Sequence, residues 1–203
     1  MSLIKVGDDL KKEFIFIHIP KTGGLNFIKR LEYQPGVINA HVSLPRHYNH
    51  QSLQWWLDHK VLDESQLIFT FVRHPYTRLV SLYNHIVREG KHEVPEFKEF
   101  VMEDVLVNIT PHNLDYKFNW PQYKSIENDR NIDVKYFKME SELAQVEKIV
   151  NFKFTDTTIN ADSSDGKSFT FEQVYYKHFT DIEVRHKVQK LYKEDFVRFN
   201  YVF

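Results

Sequence analysis

Two nearly continuous apolar runs in this chain predict buried β strands. The first is Phe14-Ile15-Phe16-Ile17, which ends before Pro20, and the second is Leu67 to Val72, which ends before Arg73-His74-Pro75. Apolar residues at helical spacing follow each run: Leu25, Ile28 and Leu31 after the first, and Leu79, Leu82 and Ile86 after the second. The repeated order of strand, basic residue with proline, and helix predicts an α/β fold. Its P-loop-like, mainly parallel sheet would be flanked by helices, with both strand ends at one edge.

The remaining pattern predicts further elements but no second domain. Residues 1–13 are largely polar and predict a loose N-terminal lead-in. The other predicted elements are a short strand from Val37, a helix within Ser52–Leu62, a helix over Glu96–Val107, a strand over Asp133–Lys138, and helices over Ser141–Val150, Phe171–Tyr176 and Thr180–Phe196. Because 203 residues fit one domain and no low-complexity tract divides them, we expect a single domain over 1–203.

Composition narrows the classes of protein that the chain fits. A formal net charge of −1 argues against a general nucleic-acid binder, whose basic face usually dominates the total. The absence of cysteine excludes a disulfide framework, a cysteine zinc site and a cysteine nucleophile. No apolar run approaches the roughly 20 residues of a membrane span, and the N-terminus lacks the apolar core of a signal peptide. We therefore expect a soluble, cytoplasmic protein.

The residues between the first strand and the first helix have the chemistry of a phosphate-binding site. Lys21 and Thr22 precede Gly23 and Gly24, and the helical pattern begins directly after them. Glycines let the backbone approach a ligand closely, and a helix N-terminus offers unpaired amides and the positive end of a dipole. The order differs from a Walker A loop, GxxxxGK[ST], in which the lysine follows the glycines. The stretch predicts phosphate binding without the ordinary ATPase fingerprint.

Two motifs together suggest a family. The first strand closes with IPKTGG, and the second strand and its helix read FVRHPYTRLVSLYNH. They resemble the paired nucleotide-binding motifs of sulfotransferases that use 3′-phosphoadenosine-5′-phosphosulfate (PAPS), most closely the carbohydrate branch that includes the uronyl 2-O-sulfotransferases. The later stretches FKMESEL and VQKLYKEDFVRFNY also resemble that family, so the resemblance spans most of the chain from Phe14.

The resemblance implies a role for each motif. Lys21, Thr22, Gly23 and Gly24 would hold the 5′-phosphosulfate, and Arg73 and Ser81 would hold the 3′-phosphate. PAPS would then be the donor and adenosine 3′,5′-bisphosphate (PAP) the product, with no metal required. The reaction would be an in-line displacement in which positioning and charge stabilisation do most of the catalysis.

Three further residues are expected near the nucleotide. Relatives commonly carry a hydroxyl residue after the glycines, where this chain has Leu25-Asn26. The backbone amide of Leu25 would still belong to the phosphate cradle, and the side chain of Asn26 offers a substitute contact. Lys167, in a late polar loop, is predicted to reach the nucleotide as well.

The acceptor hydroxyl needs a base, and His41 is the first candidate. It follows the first helix, where related carbohydrate sulfotransferases place a catalytic histidine, and a neutral imidazole suits proton removal near pH 7. His112 is the rival, because HNLDYKFNWPQ resembles a family region near the acceptor site, and Glu140 is a weaker one. Arg46 and His47, with the nearby His50, are candidate contacts to an acidic acceptor. The spacing of these histidines does not favour a metal site.

Two other functions stay open beside carbohydrate sulfation. One is a nucleotide or small-molecule kinase with a variant phosphate loop, against which stands the lack of an evident acidic Mg²⁺ motif. The other is a non-catalytic nucleotide-binding scaffold. The acceptor itself is a polysaccharide, a glycolipid or a small glycoside, and the sequence leaves that choice and the oligomeric state open.

Overall fold

The computed structural model describes residues 2–6, 12–32, 37–40, 50–59, 66–89, 94–102, 119–150 and 171–202. These residues form two compact units that alternate along the chain. The first unit takes its residues from 1–72 and 122–159, and the second from 73–121 and 160–203. The expectation of one domain over 1–203 stays a prediction.

The first unit is built on a five-stranded sheet. Its strands are β1 (Ser2–Val6), β2 (Lys12–Ile17), β3 (Val37–Ala40), β4 (Leu67–Val72) and β5 (Lys135–Lys138), in the spatial order β3-β1-β2-β4-β5. Strands β2, β4 and β5 are parallel to one another, whereas β1 pairs antiparallel with both β2 and β3. The predicted α/β class with a parallel sheet is confirmed, with an antiparallel extension on one side.

That extension corrects the prediction for the N-terminus. Residues 1–13 were expected to be a loose lead-in, but Ser2–Val6 forms β1, and β2 already begins at Lys12. The register pairs Ser2 with Phe16 and Val6 with Lys12. The backbone hydrogen bonds to β2 and β3 hold this segment as a strand, and such pairing is not visible in the local pattern.

Helices cover both faces of the sheet in the first unit. They are α1 (Gly24–Glu32), α2 (Leu53–Asp58), a 3₁₀ helix (Gln122–Ser125) and α5 (Leu143–Val150), while α3 and α4 belong to the second unit. Side chains alternate along β2: Phe14 and Phe16 pack with Phe27 of α1 on one face, while Ile15 and Ile17 pack with α2 on the other. This burial on two faces explains the continuous apolar run.

The second unit is helical in its described part. Its helices are α3 (Pro75–Glu89), α4 (Phe97–Met102), α6 (Phe171–His178), α7 (Ile182–Leu191) and α8 (Lys193–Arg198). They enclose one aromatic-rich core that includes Tyr76, Phe100, Phe179, Val188 and Phe196. No helix within the described ranges is both long enough and apolar enough to cross a membrane.

The predicted helix over Thr180–Phe196 is two helices. Asp181 caps α7 by accepting hydrogen bonds from the amides of Glu183 and Val184. Tyr192, with φ −110° and ψ 22°, separates α7 from α8. The ring of Tyr192 is buried at the break between the two helices. Helical spacing alone did not predict this break.

Candidate functional site

The turn after β2 brings the predicted phosphate-binding residues onto one short segment. Lys21 has a φ of +66° and Gly23 a φ of +83°, so the chain reverses through the left-handed region before α1 begins at Gly24. The carbonyl of Gly23 accepts the amides of Asn26 and Phe27 at 3.1 and 3.2 Å. The amides of Gly24 and Leu25 precede these bonds at the helix N-terminus, where an anion is favoured.

Thr22 stabilises this turn from inside. Its side chain is fully buried, and its hydroxyl donates to the carbonyl of Ile19 at 2.8 Å. The hydroxyl proton is therefore used within the loop. A phosphate would meet Thr22 through its backbone amide rather than by accepting that proton.

Both glycines are closely surrounded by other side chains. A Cβ on Gly23 would lie 2.7 Å from Cε of Met139, and the positive φ would strain any side chain there. A Cβ on Gly24 would lie 2.4 Å from Cδ2 and 2.9 Å from Nε2 of His18. The imidazole of His18 therefore packs directly against the first residue of α1.

His18 forms a pair with His50 beside the loop. The two ring centroids are 4.7 Å apart, and Nδ1 of His50 lies 3.4 Å from the carbonyl oxygen of His18. Burial lowers the pKa of His18 well below its usual value, and the nearby His50 and Lys21 lower it further. A neutral His18 is consistent with a packing role under Gly24.

The contact between His18 and Gly24 gives a testable prediction. Gly24→Ala should reduce the free energy of unfolding by about 1–3 kcal/mol, since the new methyl overlaps the imidazole. In a His18→Ala background the same change should cost clearly less, because the imidazole is gone, although Cε1 of Phe16 still lies 3.0 Å from the new Cβ. Chemical denaturation of the four proteins of this double-mutant cycle measures the coupling. Equal costs of Gly24→Ala in both backgrounds would contradict the contact.

The predicted residues of the second motif lie at the start of α3, in the second unit. His74 is the residue before the helix, and its carbonyl accepts the amide of Arg78 at 2.9 Å. Nδ1 of His74 accepts the amide of Tyr76 at 3.3 Å, which leaves Nε2 to donate to the carbonyl of Val202 at 3.1 Å. Pro75 occupies the first helical position, where its missing amide costs nothing.

Arg73 and Ser81 are both buried here, at 8% and 3% exposure. Nε of Arg73 donates to the hydroxyl of Thr77 at 3.2 Å, and that hydroxyl donates to the carbonyl of His74 at 3.0 Å. Thr77 and Ser81 are four residues apart in α3 and so lie on one side of the helix. The guanidinium of Arg73 and the hydroxyl of Ser81 are donors that suit a phosphate, whereas the proton of Thr77 is given to the carbonyl of His74.

A second arginine of this motif is buried in a polar network. Arg78 is 3% exposed, and its Nη1 donates to the carbonyl of Trp120 at 3.0 Å. Burial lowers its pKa, which the nearby Tyr192 and the fully buried Asp195 partly restore. Burial also raises the pKa of Tyr192 to about 12, and its hydroxyl donates to the carbonyl of Asn119 at 3.0 Å. The network fixes the Asn119-Trp120 backbone to α3 and Tyr192.

Several predicted site residues lie outside the described residues: His41, Arg46, His47, His112 and Lys167. Thr77 had no predicted role, although its spacing of four from both Arg73 and Ser81 could have indicated one. His50 was predicted only as an acceptor contact. In the part of the chain that is described, no three His, Asp or Glu side chains form a group that could hold a metal ion.

Comparison with known families gives one match. Residues 8–202 match the model of the sulfotransferase family. The matched range contains both motifs and nearly the whole chain. Searches of the curated proteins and of the solved structures returned no significant match. Members of the matched family are enzymes that transfer a sulfuryl group to an acceptor. The chain therefore belongs to the sulfotransferase family.

Proposed function

We propose that this enzyme takes its sulfuryl group from PAPS and transfers it to a hydroxyl of a carbohydrate. The observation that carries the proposal is the turn after β2, in which Lys21 precedes two closely surrounded glycines, one of them at a positive φ. Such a turn at a helix N-terminus suits a phosphosulfate, and Lys21 adds a positive charge to it.

The residues of the loop fit the 5′ end of the donor. The amides of Gly24 and Leu25 at the N-terminus of α1, with the backbone of Thr22 and Gly23, would hold the 5′-phosphate. The side chain of Asn26, partly buried in the first turn of α1, would supply the contact that relatives make with a hydroxyl. The side chain of Leu25 is 58% exposed and therefore points away from the packed core.

A second set of residues is proposed for the 3′-phosphate. Arg73 is the residue directly after β4, and its planar guanidinium offers a pair of donors to a terminal phosphate. Ser81 would add a hydroxyl from α3, and Lys167 is proposed to approach the nucleotide as well. A separate 3′-phosphate explains why the chain carries a basic motif after each of two strands.

Lys21 is the proposed catalytic cation. When bound, PAPS supplies an activated sulfuryl group whose transfer leaves negative charge on the oxygen that bridged sulfur and phosphorus. The ammonium of Lys21 would stabilise that charge as it forms. The acceptor oxygen would attack on the opposite side of the sulfur, so the geometry is an in-line displacement.

A histidine is proposed as the base that removes the acceptor proton, with His41 as first candidate and His112 as rival. His50 joins the comparison because its ring lies beside His18 at the end of β2. Alanine at the base should lower kcat by about 10²-fold or more and remove the rise of rate between pH 5 and 7. His41→Ala, His112→Ala and His50→Ala, each assayed over pH 5–9, identify it. Unchanged pH profiles in all three would contradict a histidine base.

A carbohydrate acceptor is proposed from the branch of the family that the motifs resemble, with Arg46 and His47 as contacts to an acidic sugar. The test uses radiolabelled PAPS with desulfated polysaccharides, glycolipids and aryl glycosides, beside simple phenols and amines as competing acceptor classes. We expect label in a sugar fraction, and label on a phenol or amine alone would overturn the carbohydrate assignment.

A further inference from the structure

We propose that Thr77 is a positioning residue that orients Arg73 toward the 3′-phosphate of the donor. The inference rests on the proposed function, which gives Arg73 and Ser81 that phosphate as ligand. Thr77 belongs to the same motif as Arg73 and Ser81. It is not a catalytic residue, because it acts through Arg73.

The hydroxyl of Thr77 connects Arg73 to the helix backbone. It accepts from Nε of Arg73 at 3.2 Å and donates to the carbonyl of His74 at 3.0 Å, so both of its roles are defined. The side chain of Thr77 is 4% exposed, so bulk water does not compete for these two hydrogen bonds. A β-branched side chain in a helix has few rotamers, so the hydroxyl is held in place before any ligand arrives.

A bond at Nε fixes the plane of the Arg73 guanidinium. The group is flat and carries its donors in a rigid fork, so one fixed nitrogen sets the direction of the others. The edge formed by Nη1 and Nη2 is the part of the group that the Thr77 bond does not use. That edge can make the paired hydrogen bonds that a phosphate accepts.

The position of Thr77 along α3 supports the same role. It follows Arg73 by four residues and precedes Ser81 by four, and Thr77 and Ser81 share one side of the helix. All three side chains are buried, as are Arg78 and the apolar Leu79 and Val80 of α3. The spacing places Thr77 midway in the sequence between the two residues proposed for the 3′-phosphate.

Removing the hydroxyl should leave the helix start intact. The carbonyl of His74 also accepts the amide of Arg78 at 2.9 Å, so it keeps a partner in Thr77→Val. The valine has the same shape and removes only the hydroxyl contacts. Thr77→Ser keeps the hydroxyl and removes the methyl group, which makes it the matched control.

The experiment is calorimetric titration of wild type, Thr77→Val and Thr77→Ser with PAP and with adenosine 5′-monophosphate, which lacks the 3′-phosphate. We expect Thr77→Val to weaken PAP binding about tenfold, because a guanidinium that is no longer oriented would lose about one charge-assisted hydrogen bond to the 3′-phosphate, with the affinity for the monophosphate unchanged. Thr77→Ser should bind PAP within about threefold of wild type. Should the valine variant fail to fold, Thr77→Ala is measured and judged in the same way.

The outcomes separate the inference from the function on which it rests. If wild type does not prefer PAP over the monophosphate, the proposed 3′-phosphate site is wrong. If wild type prefers PAP and Thr77→Val keeps that preference in full, the positioning role is wrong. An equal loss of affinity for both nucleotides would also overturn it, because it would indicate a general structural effect.

Discussion

Lys21→Ala is expected to lower kcat for sulfuryl transfer by about 10²–10³-fold, the usual cost of removing one charge that stabilises the transition state. Alanine keeps the Cβ that Lys21 already carries at a φ of +66°, so the turn gains no new strain. The loss should therefore come from the missing ammonium. Steady-state rates with labelled PAPS measure it, and the affinity for PAP should fall much less than kcat.

Lys148→Ala is the matched control, since Lys148 is an exposed lysine of α5 in the same unit. It should turn over at the wild-type rate. The same pair of variants tests the scaffold alternative, because a non-catalytic protein would show no turnover to lose and would keep its partner binding. A Lys21→Ala enzyme that retains wild-type kcat would remove the catalytic role of this residue.

The largest expected loss of stability follows from Arg78→Met. Arg78 and Asp195 are both buried, and against the larger effect of burial Asp195 raises the pKa of Arg78, so removing the guanidinium would leave the carboxylate with less compensation. We expect the free energy of unfolding to fall by about 3–5 kcal/mol. The carbonyl of Trp120 would also lose its hydrogen bond from Nη1. Chemical denaturation followed by circular dichroism measures the change.

Arg198→Met is the control for that loss. Arg198 lies 3.6 Å from Glu194 on the exposed side of α8, and such a surface pair is worth less than about 1 kcal/mol. The double variant Arg78→Met/Asp195→Asn should lose clearly less than the sum of its single changes, because the uncompensated charge is gone. Additive losses would show that Arg78 and Asp195 do not stabilise one another.

The sequence predicted those parts of the fold whose burial is local. Strand β4 was predicted with its bounds at Leu67 and Val72, because a strand buried on both faces is apolar at every position. Strand β1 was missed, since Ser2–Val6 is held by pairing with residues that are distant in the chain. The break at Tyr192 was missed for the related reason that helical spacing continues across it.

The candidate site divides in the same way. The turn between β2 and α1 was predictable because Pro20 and two glycines separate an apolar strand from a helical pattern, and its phosphate-binding role stays a prediction. The contact between His18 and Gly24 was not predictable, since it depends on where an imidazole packs in three dimensions. Thr77 stands four residues from both Arg73 and Ser81, but its hydrogen bonds to Arg73 and His74, on which the proposed role rests, depend on the folded geometry.

Calorimetric titration with PAP beside Mg-ATP decides whether this sulfotransferase uses PAPS. We expect PAP to bind much more tightly than Mg-ATP and to lose most of its affinity in Arg73→Ala. Tighter binding of Mg-ATP than of PAP would contradict the use of PAPS and support the kinase alternative.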